Sequence, residues 1–234
     1  MWAEYALKSI KKFAIGFRNV ILVTDNDGNA IPSKLTSILP VTVIYAEVPS
    51  TCPPKLYERK GYLWQQMLKL HWIDYTDADA VLILDSDEMI CRPITPNIFR
   101  DSEGRWKWYY RDWAESEFAS VWKLPTEEVL KFTPKYESMV CAPFILERTI
   151  TQNFINYLIH IHKAFDLYDV FFKYDMMQFS EYNAYGSYVN EFDNDTIYLR
   201  IINKNCNELY VIKSWSYGGL KEDDKKRRDA LLGH

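Results

Sequence analysis

Tyr5, Leu7, Ile10 and Phe13 fall on helical spacing, so residues 4–13 are expected to form the first helix. Residues 19–24 (NVILVT) then run apolar without a break and end in Asp25-Asn26-Asp27-Gly28, the pattern of a buried strand followed by a turn. A second strand is predicted over residues 41–48, bracketed by Pro40 and Pro49, with a loop at Cys52-Pro53-Pro54. Residues 61–74 (GYLWQQMLKLHWID) carry no internal breaker and read as a helix, and residues 80–85 (AVLILD) read as a third buried strand. The order helix, strand, strand, helix, strand predicts an α/β sheet with parallel strands.

Past Asp87 the pattern changes. Residues 88–92 make a short strand that Arg92-Pro93-Ile94 ends, and residues 106–111 (WKWYYR) alternate as an antiparallel strand would. A short helix is predicted over residues 127–132, a strand over 144–147, helices over 150–164 and 181–191, and late strands over 197–202 and 209–214. There is no repeat, low-complexity segment or linker, so residues 1–234 are read as one domain. The mixed-sign tail over residues 221–229 (KEDDKKRRD) reads as a solvated helix face.

Composition narrows the classes. With 48% hydrophobic and 26% charged residues, the chain reads as soluble and globular rather than disordered. A net charge of -4 argues against nucleic acid as the main partner, since phosphate-binding surfaces need a basic excess. No apolar run approaches the roughly 20 residues that span a bilayer, and Glu4, Lys8, Lys11 and Lys12 interrupt any leader-like stretch. Cys52, Cys91, Cys141 and Cys206 show neither a C-x-x-C pair nor zinc spacing. They read as four reduced thiols of a cytoplasmic protein. The 17 Tyr and 8 Trp exceed ordinary usage; many suit a core, and others suit stacking on the flat C–H faces of sugar rings.

The segment that carries chemistry is the strand ending in Asp85-Ser86-Asp87. A buried strand delivers two carboxylates to its carboxyl end, where open α/β sheets bind ligands. Carboxylates at i and i+2 can share one hard divalent ion, Mn²⁺ or Mg²⁺. Such an ion would bridge the two phosphates of a nucleotide-sugar and stabilise the charge that builds as the sugar leaves. Turn capping is the purely structural alternative. A D-x-D phosphatase with Asp85 as nucleophile is a chemical one, although Glu88-Met89 follows the motif and two strands and two helices precede it.

The sequence resembles GT-A-type glycosyltransferases, and more closely a poorly characterised family of bacterial and viral nucleotide-sugar transferases. The resemblance rests on Tyr5-Ala6-Leu7-Lys8-Ser9-Ile10, on GYLWQQMLKL over residues 61–70, on the strand ending in Asp85-Ser86-Asp87, on FSEYNAYG over residues 179–186, and on Trp215-Ser216-Tyr217-Gly218-Gly219. It implies a GT-A fold, a mixed sheet flanked by helices, with a UDP-sugar-like donor and a Mn²⁺ or Mg²⁺ ion. Members of that fold begin with a strand whose end helps hold the nucleotide base. Here the first predicted element is a helix, so the first strand is expected to be missing. Residues 209–214 could fill its place; sequential order favours them simply as the last strand.

Other candidates surround the motif. Gln65 and Lys69 share a helical face, with Gln66 one position round, and Lys69 could neutralise a phosphate; a solvated polar face is the plain alternative. Thr24 and Asp25 end the first predicted strand and could reach base or ribose, or cap the turn. Glu181, at a predicted helix start, is the candidate base for an inverting transfer and is expected across the sugar from Asp85 and Asp87; it could equally be a dipole-stabilised helix terminus. Trp215 and Gly218 could close over the donor. The expected activity is metal-assisted transfer of a sugar from a UDP-sugar to a glycan or other hydroxyl acceptor. A catalytically silent nucleotide-binding or assembly subunit is the alternative from a different class.

Overall fold

Trp2–Phe13 form helix α1, with Tyr5, Ala6, Leu7 and Ser9 buried and Lys11 and Lys12 in solvent. This follows the apolar spacing of the sequence. The computed structural model describes residues 2–25, 30–47, 61–171, 179–202, 210–213 and 219–233. Strand β1 (Ile21–Asp25) pairs in parallel with β2 (Thr42–Ala46), the short helix α2 (Ser33–Thr36) lying between them in sequence. Helix α3 (Gly61–Leu70) tightens into a 3-10 turn over His71–Asp74. The next strand, β3 (Ala80–Ile83), pairs antiparallel with β6 (Phe144–Glu147). Strand β4 (Glu88–Ile90) pairs antiparallel with β8 (Val211–Lys213), and β5 (Trp106–Tyr110) pairs in parallel with β7 (Tyr198–Ile202). The remaining helices are α4 (Ala119–Leu130), α5 (Arg148–His162), α6 (Leu167–Phe171), α7 (Glu181–Phe192) and α8 (Glu222–Leu232).

The fold is mixed α/β, rich in helix, with small sheets. Among the described residues the strands form four pairs, not one continuous parallel sheet. Residues 106–111 alternate as expected, yet β5 runs parallel to its partner, because alternation fixes which face is buried and leaves strand direction open. Strand β8 sits beside β4 and not beside β1. Helix α4 begins well before residue 127 and runs through Pro125. Proline removes its own N–H from the ladder and crowds the carbonyl four residues back, and burial of Trp122, Thr126, Val129 and Leu130 works against that cost. The tail is more than a solvated face: α8 docks on α1, where the Tyr5 hydroxyl donates to Asp229 Oδ1 at 2.8 Å and Lys12 Nζ donates to the Leu231 carbonyl at 2.8 Å.

Cys141 is disulfide-bonded and Cys91 is a free thiol, which corrects the expectation of four reduced cysteines. The cytoplasmic assignment loses that support, since disulfides persist mainly in oxidising compartments. No described helix is long and apolar enough to cross a membrane.

Aromatic side chains fill the centre. Trp108 packs on Tyr185 and Phe144 with ring centroids 5.3 and 5.5 Å apart, and Phe144 stacks on Tyr182 at 3.8 Å. Much of the aromatic content is thus core. Gly186 on α7 lies where a Cβ would stand 2.4 Å from the Ser138 Cβ and 2.6 Å from the Trp108 Nε1. Only a residue without a side chain lets α7 approach this closely.

Candidate functional site

The carboxyl end of β3 opens into a tight turn. Glu88 N–H donates to the Asp85 carbonyl at 3.0 Å, and Asp85 N–H donates to the Glu88 carboxylate at 3.1 Å, leaving Ser86 and Asp87 at the tip with Ser86 exposed. The approach to β3 is held from α5: Arg148 donates to the carbonyls of Ala78, Ile73 and Thr76. The strand end therefore has little freedom to shift.

Helix α3 turns one face toward this end. Gln65 Nε2 donates to Asp85 Oδ1 at 3.1 Å. One turn on, Lys69 Nζ lies 2.7 Å from Asp85 Oδ1 and 2.6 Å from Glu181 Oε1, linking the motif to the start of α7. The ring of Tyr182 lies beside the same ammonium, 4.6 Å away, in cation–π contact. The N-terminus of α7 is capped twice: the Ser180 hydroxyl accepts from Asn183 N–H, and the Gln66 side-chain oxygen accepts from Glu181 N–H at 2.9 Å. Gln66 Nε2 is buried and has no hydrogen-bond partner among the described residues. From β8, Lys213 Nζ comes within 3.7 Å of Asp85 Oδ2 and 3.5 Å of Glu88 Oε1, because Lys213 stands directly opposite Glu88 in the β4–β8 register.

Burial works against every charge here, and the outcome depends on the neighbours. For Lys69, burial favours loss of the proton, but Glu181, Tyr182 and Asp85 outweigh it and hold the ammonium well above its ordinary range. Burial raises Asp85, and Lys69 with Lys213 more than reverses this, so Asp85 ends lowered. Glu88 has the opposite outcome: burial and the adjacent Asp85 push it up to about 7. Lys213 is raised, its burial outweighed by Glu88 and Asp85.

The structure thus brings Gln65, Gln66, Lys69, Asp85 and Glu181 into one cluster. Asp87 and Ser86 lie at the turn tip beside it. Thr24 stands on β1 opposite Tyr45, and no hydrogen bond or ion pair joins it to the cluster among the described residues. The Asp25 side chain, Trp215 and Gly218 lie outside the described residues. Two expectations change. Glu181 does not stand apart from Asp85 with room for a sugar between them; both grip one ammonium. Gln66 is buried at 1% exposure, and its side-chain oxygen caps α7 instead of lying on a solvated face. Glu88 and Lys213 were not among the sequence candidates. An acid opening an apolar strand directly after the motif is a signal for Glu88; Lys213 has none, because only strand pairing brings it here.

The donor chemistry suits a hard divalent ion. Asp85, Asp87 and Glu88 place three carboxylates within one turn of chain, the oxygen donors that such an ion prefers. Among the described residues no three acidic, His or Cys side chains converge as a closed ligand set.

No curated protein matches the chain. The profile of DUF6492, described as a family of unknown function, matches residues 3–217, and the chain belongs to that family.

Proposed function

We propose that the chain is a glycosyltransferase of GT-A type that takes a nucleotide-sugar, with a UDP-sugar as donor, and passes the sugar to a glycan or other hydroxyl acceptor. The observation that carries this reading is the meeting of Lys69 and Lys213 with the Asp85-Ser86-Asp87 turn at the carboxyl end of β3. A diphosphate needs cationic groups fixed in place before it arrives, and a departing diphosphate needs them more. Lys69 is fixed by two carboxylates and an aromatic face, so it costs little to reorganise. Lys213, with its side chain 41% exposed, can turn toward an incoming phosphate. Asp85 and Asp87 would hold Mn²⁺ or Mg²⁺, which supplies Lewis-acid stabilisation of the leaving diphosphate. Glu181 acts in this scheme by keeping Lys69 charged and aimed, not as a base across the sugar.

The test is a panel of nucleotide-sugars with and without Mn²⁺, read by thermal shift and by slow donor hydrolysis, which needs no acceptor. A UDP-sugar with Mn²⁺ is expected to raise the melting temperature and to be hydrolysed, and Asp87→Ala is expected to lose the metal-dependent shift. Binding without turnover would favour the silent subunit. Phosphate release from small phosphomonoesters would favour the phosphatase. No response to any nucleotide-sugar would remove the proposal.

A further inference from the structure

Arg228 is among the largest fully buried side chains of the protein, although arginine is seldom buried without a specific partner. It reaches from α8 to the acidic turn: its Nη2 donates to the backbone carbonyl of Asp87 at 2.8 Å. Helix α1 encloses it, with the guanidinium 4.9 Å from the Trp2 ring and 5.8 Å from the Tyr5 ring. The same helix grips the next strand directly, where the buried Ser9 hydroxyl accepts from Ile90 N–H at 3.0 Å. Besides its pairing with β8, the stretch from Asp85 to Ile90 is held by the turn closure at Glu88, by the bond to the Asp87 carbonyl and by the bond from the Ile90 amide. Helix α8 lies beyond residues 3–217, the part matched by the family profile.

The Asp87 carbonyl belongs to the peptide plane that leaves the turn. Rotation of that plane changes ψ of Asp87 and tilts the tip that carries its carboxylate. A charged donor on this carbonyl restrains the rotation. We propose that Arg228 is a positioning residue that fixes the Asp87 peptide plane and so sets the affinity of the site for a divalent ion with a nucleoside diphosphate. The ligand half of this inference rests on the nucleotide-sugar reading; the structural half does not.

The experiment uses the full chain with Arg228→Ala, Arg228→Lys and Tyr5→Phe. Tyr5→Phe removes the hydroxyl bond to Asp229 and loosens α8 while keeping the ring and leaving Arg228 in place. Hydrogen exchange across residues 84–90 is measured without ligand, and Mn²⁺ is titrated in the presence of UDP. Arg228→Ala is expected to speed exchange at Ser86, Asp87 and Glu88 and to weaken Mn²⁺–UDP binding by about tenfold or more, on the scale of one charged hydrogen bond. Arg228→Lys, which keeps a charged donor, should recover part of both. Tyr5→Phe should leave both near wild type even where it lowers the melting temperature. Equal losses in Tyr5→Phe and Arg228→Ala would reduce Arg228 to a packing residue and overturn the proposal. Unchanged exchange in Arg228→Ala would overturn it too. If the wild type binds no UDP with Mn²⁺, the nucleotide-sugar reading fails, and the exchange comparison still decides whether Arg228 holds the turn.

Discussion

Helix α7 carries two buried polar networks one turn apart, and they are built on opposite rules. Around Tyr185 the groups that share the hydrogen bonds are neutral hydroxyls and peptide groups. The Tyr185 and Tyr198 hydroxyls lie 3.0 Å apart, Tyr198 donates to the Ile145 carbonyl at 2.9 Å, and Glu147 N–H donates to Tyr198 at 2.9 Å. These bonds join β6, β7 and α7, and each hydroxyl both donates and accepts. Around Glu181 nearly everything is charged: Lys69, Lys213, Asp85 and Glu88 crowd together, one carboxyl is driven toward neutrality, and the buried Gln66 amide nitrogen has no partner among the described residues. Neutral networks that satisfy all their members stabilise a core, whereas buried ion pairs recover their desolvation cost poorly. The proposed function is placed in the charged network for that reason, since stability alone gives little reason to build it.

Removing Lys69 should divide the two regions most sharply. Lys69→Met leaves Asp85 and Glu181 buried without their shared cation, and a loss of about 3–5 kcal/mol is expected in denaturant unfolding. Adding Glu181→Gln should return part of it. A Lys69→Met protein as stable as wild type would mean that the cluster is solvated and the contrast false.

The next effect is in pH. In the folded protein Glu88 keeps its proton up to about 7, against an ordinary value of 4.5. The folded state thus binds more protons between those values, so the stability Glu88 contributes is complete below 4.5 and is lost as pH rises through 7. Glu88→Gln removes the slope. In metal-free buffer the variant should gain on the wild type by on the order of 2 kcal/mol between pH 5 and pH 8, measured by unfolding at each pH. Parallel profiles for the two proteins would show that Glu88 titrates normally.

The smallest effect belongs to the neutral side. Tyr198→Phe should cost about 1 kcal/mol and leave Mn²⁺ and nucleotide binding unchanged. A change in binding would show that the two networks are coupled.

Local elements were legible where the cue was local. Strand β6 matches the predicted residues 144–147, and α1 differs from its prediction only at the start. Pairing was not legible. The alternation of Trp106, Trp108 and Tyr110 marks a buried face and is equally compatible with either direction of the partner strand. The short helix predicted over residues 127–132 in fact spans Ala119–Leu130 and runs through Pro125, with Trp122, Thr126 and Val129 buried along it. At the site, Gln65 and Lys69 could be placed on one face from their i, i+4 spacing, and Asp85 from the strand before it. Their meeting with Glu181 needed the packing of α3 on α7, and the arrival of Lys213 needed the β4–β8 register. Both depend on tertiary contacts that no spacing along the chain encodes.

Gly186 acts as a depth stop for α7. The helix rests against Trp108 and Ser138 as closely as bare backbone permits. Ser138 cannot easily yield, because its own amide donates to Asn183 on the same helix at 2.9 Å. Glu181 lies five residues toward the N-terminus, about 7.5 Å along the axis. The 2.6 Å spacing of Glu181 from Lys69 is thus gauged from the aromatic core. A single methyl at position 186 would act as a shim under a beam, raising the whole helix and opening a gap at an ion pair it never touches.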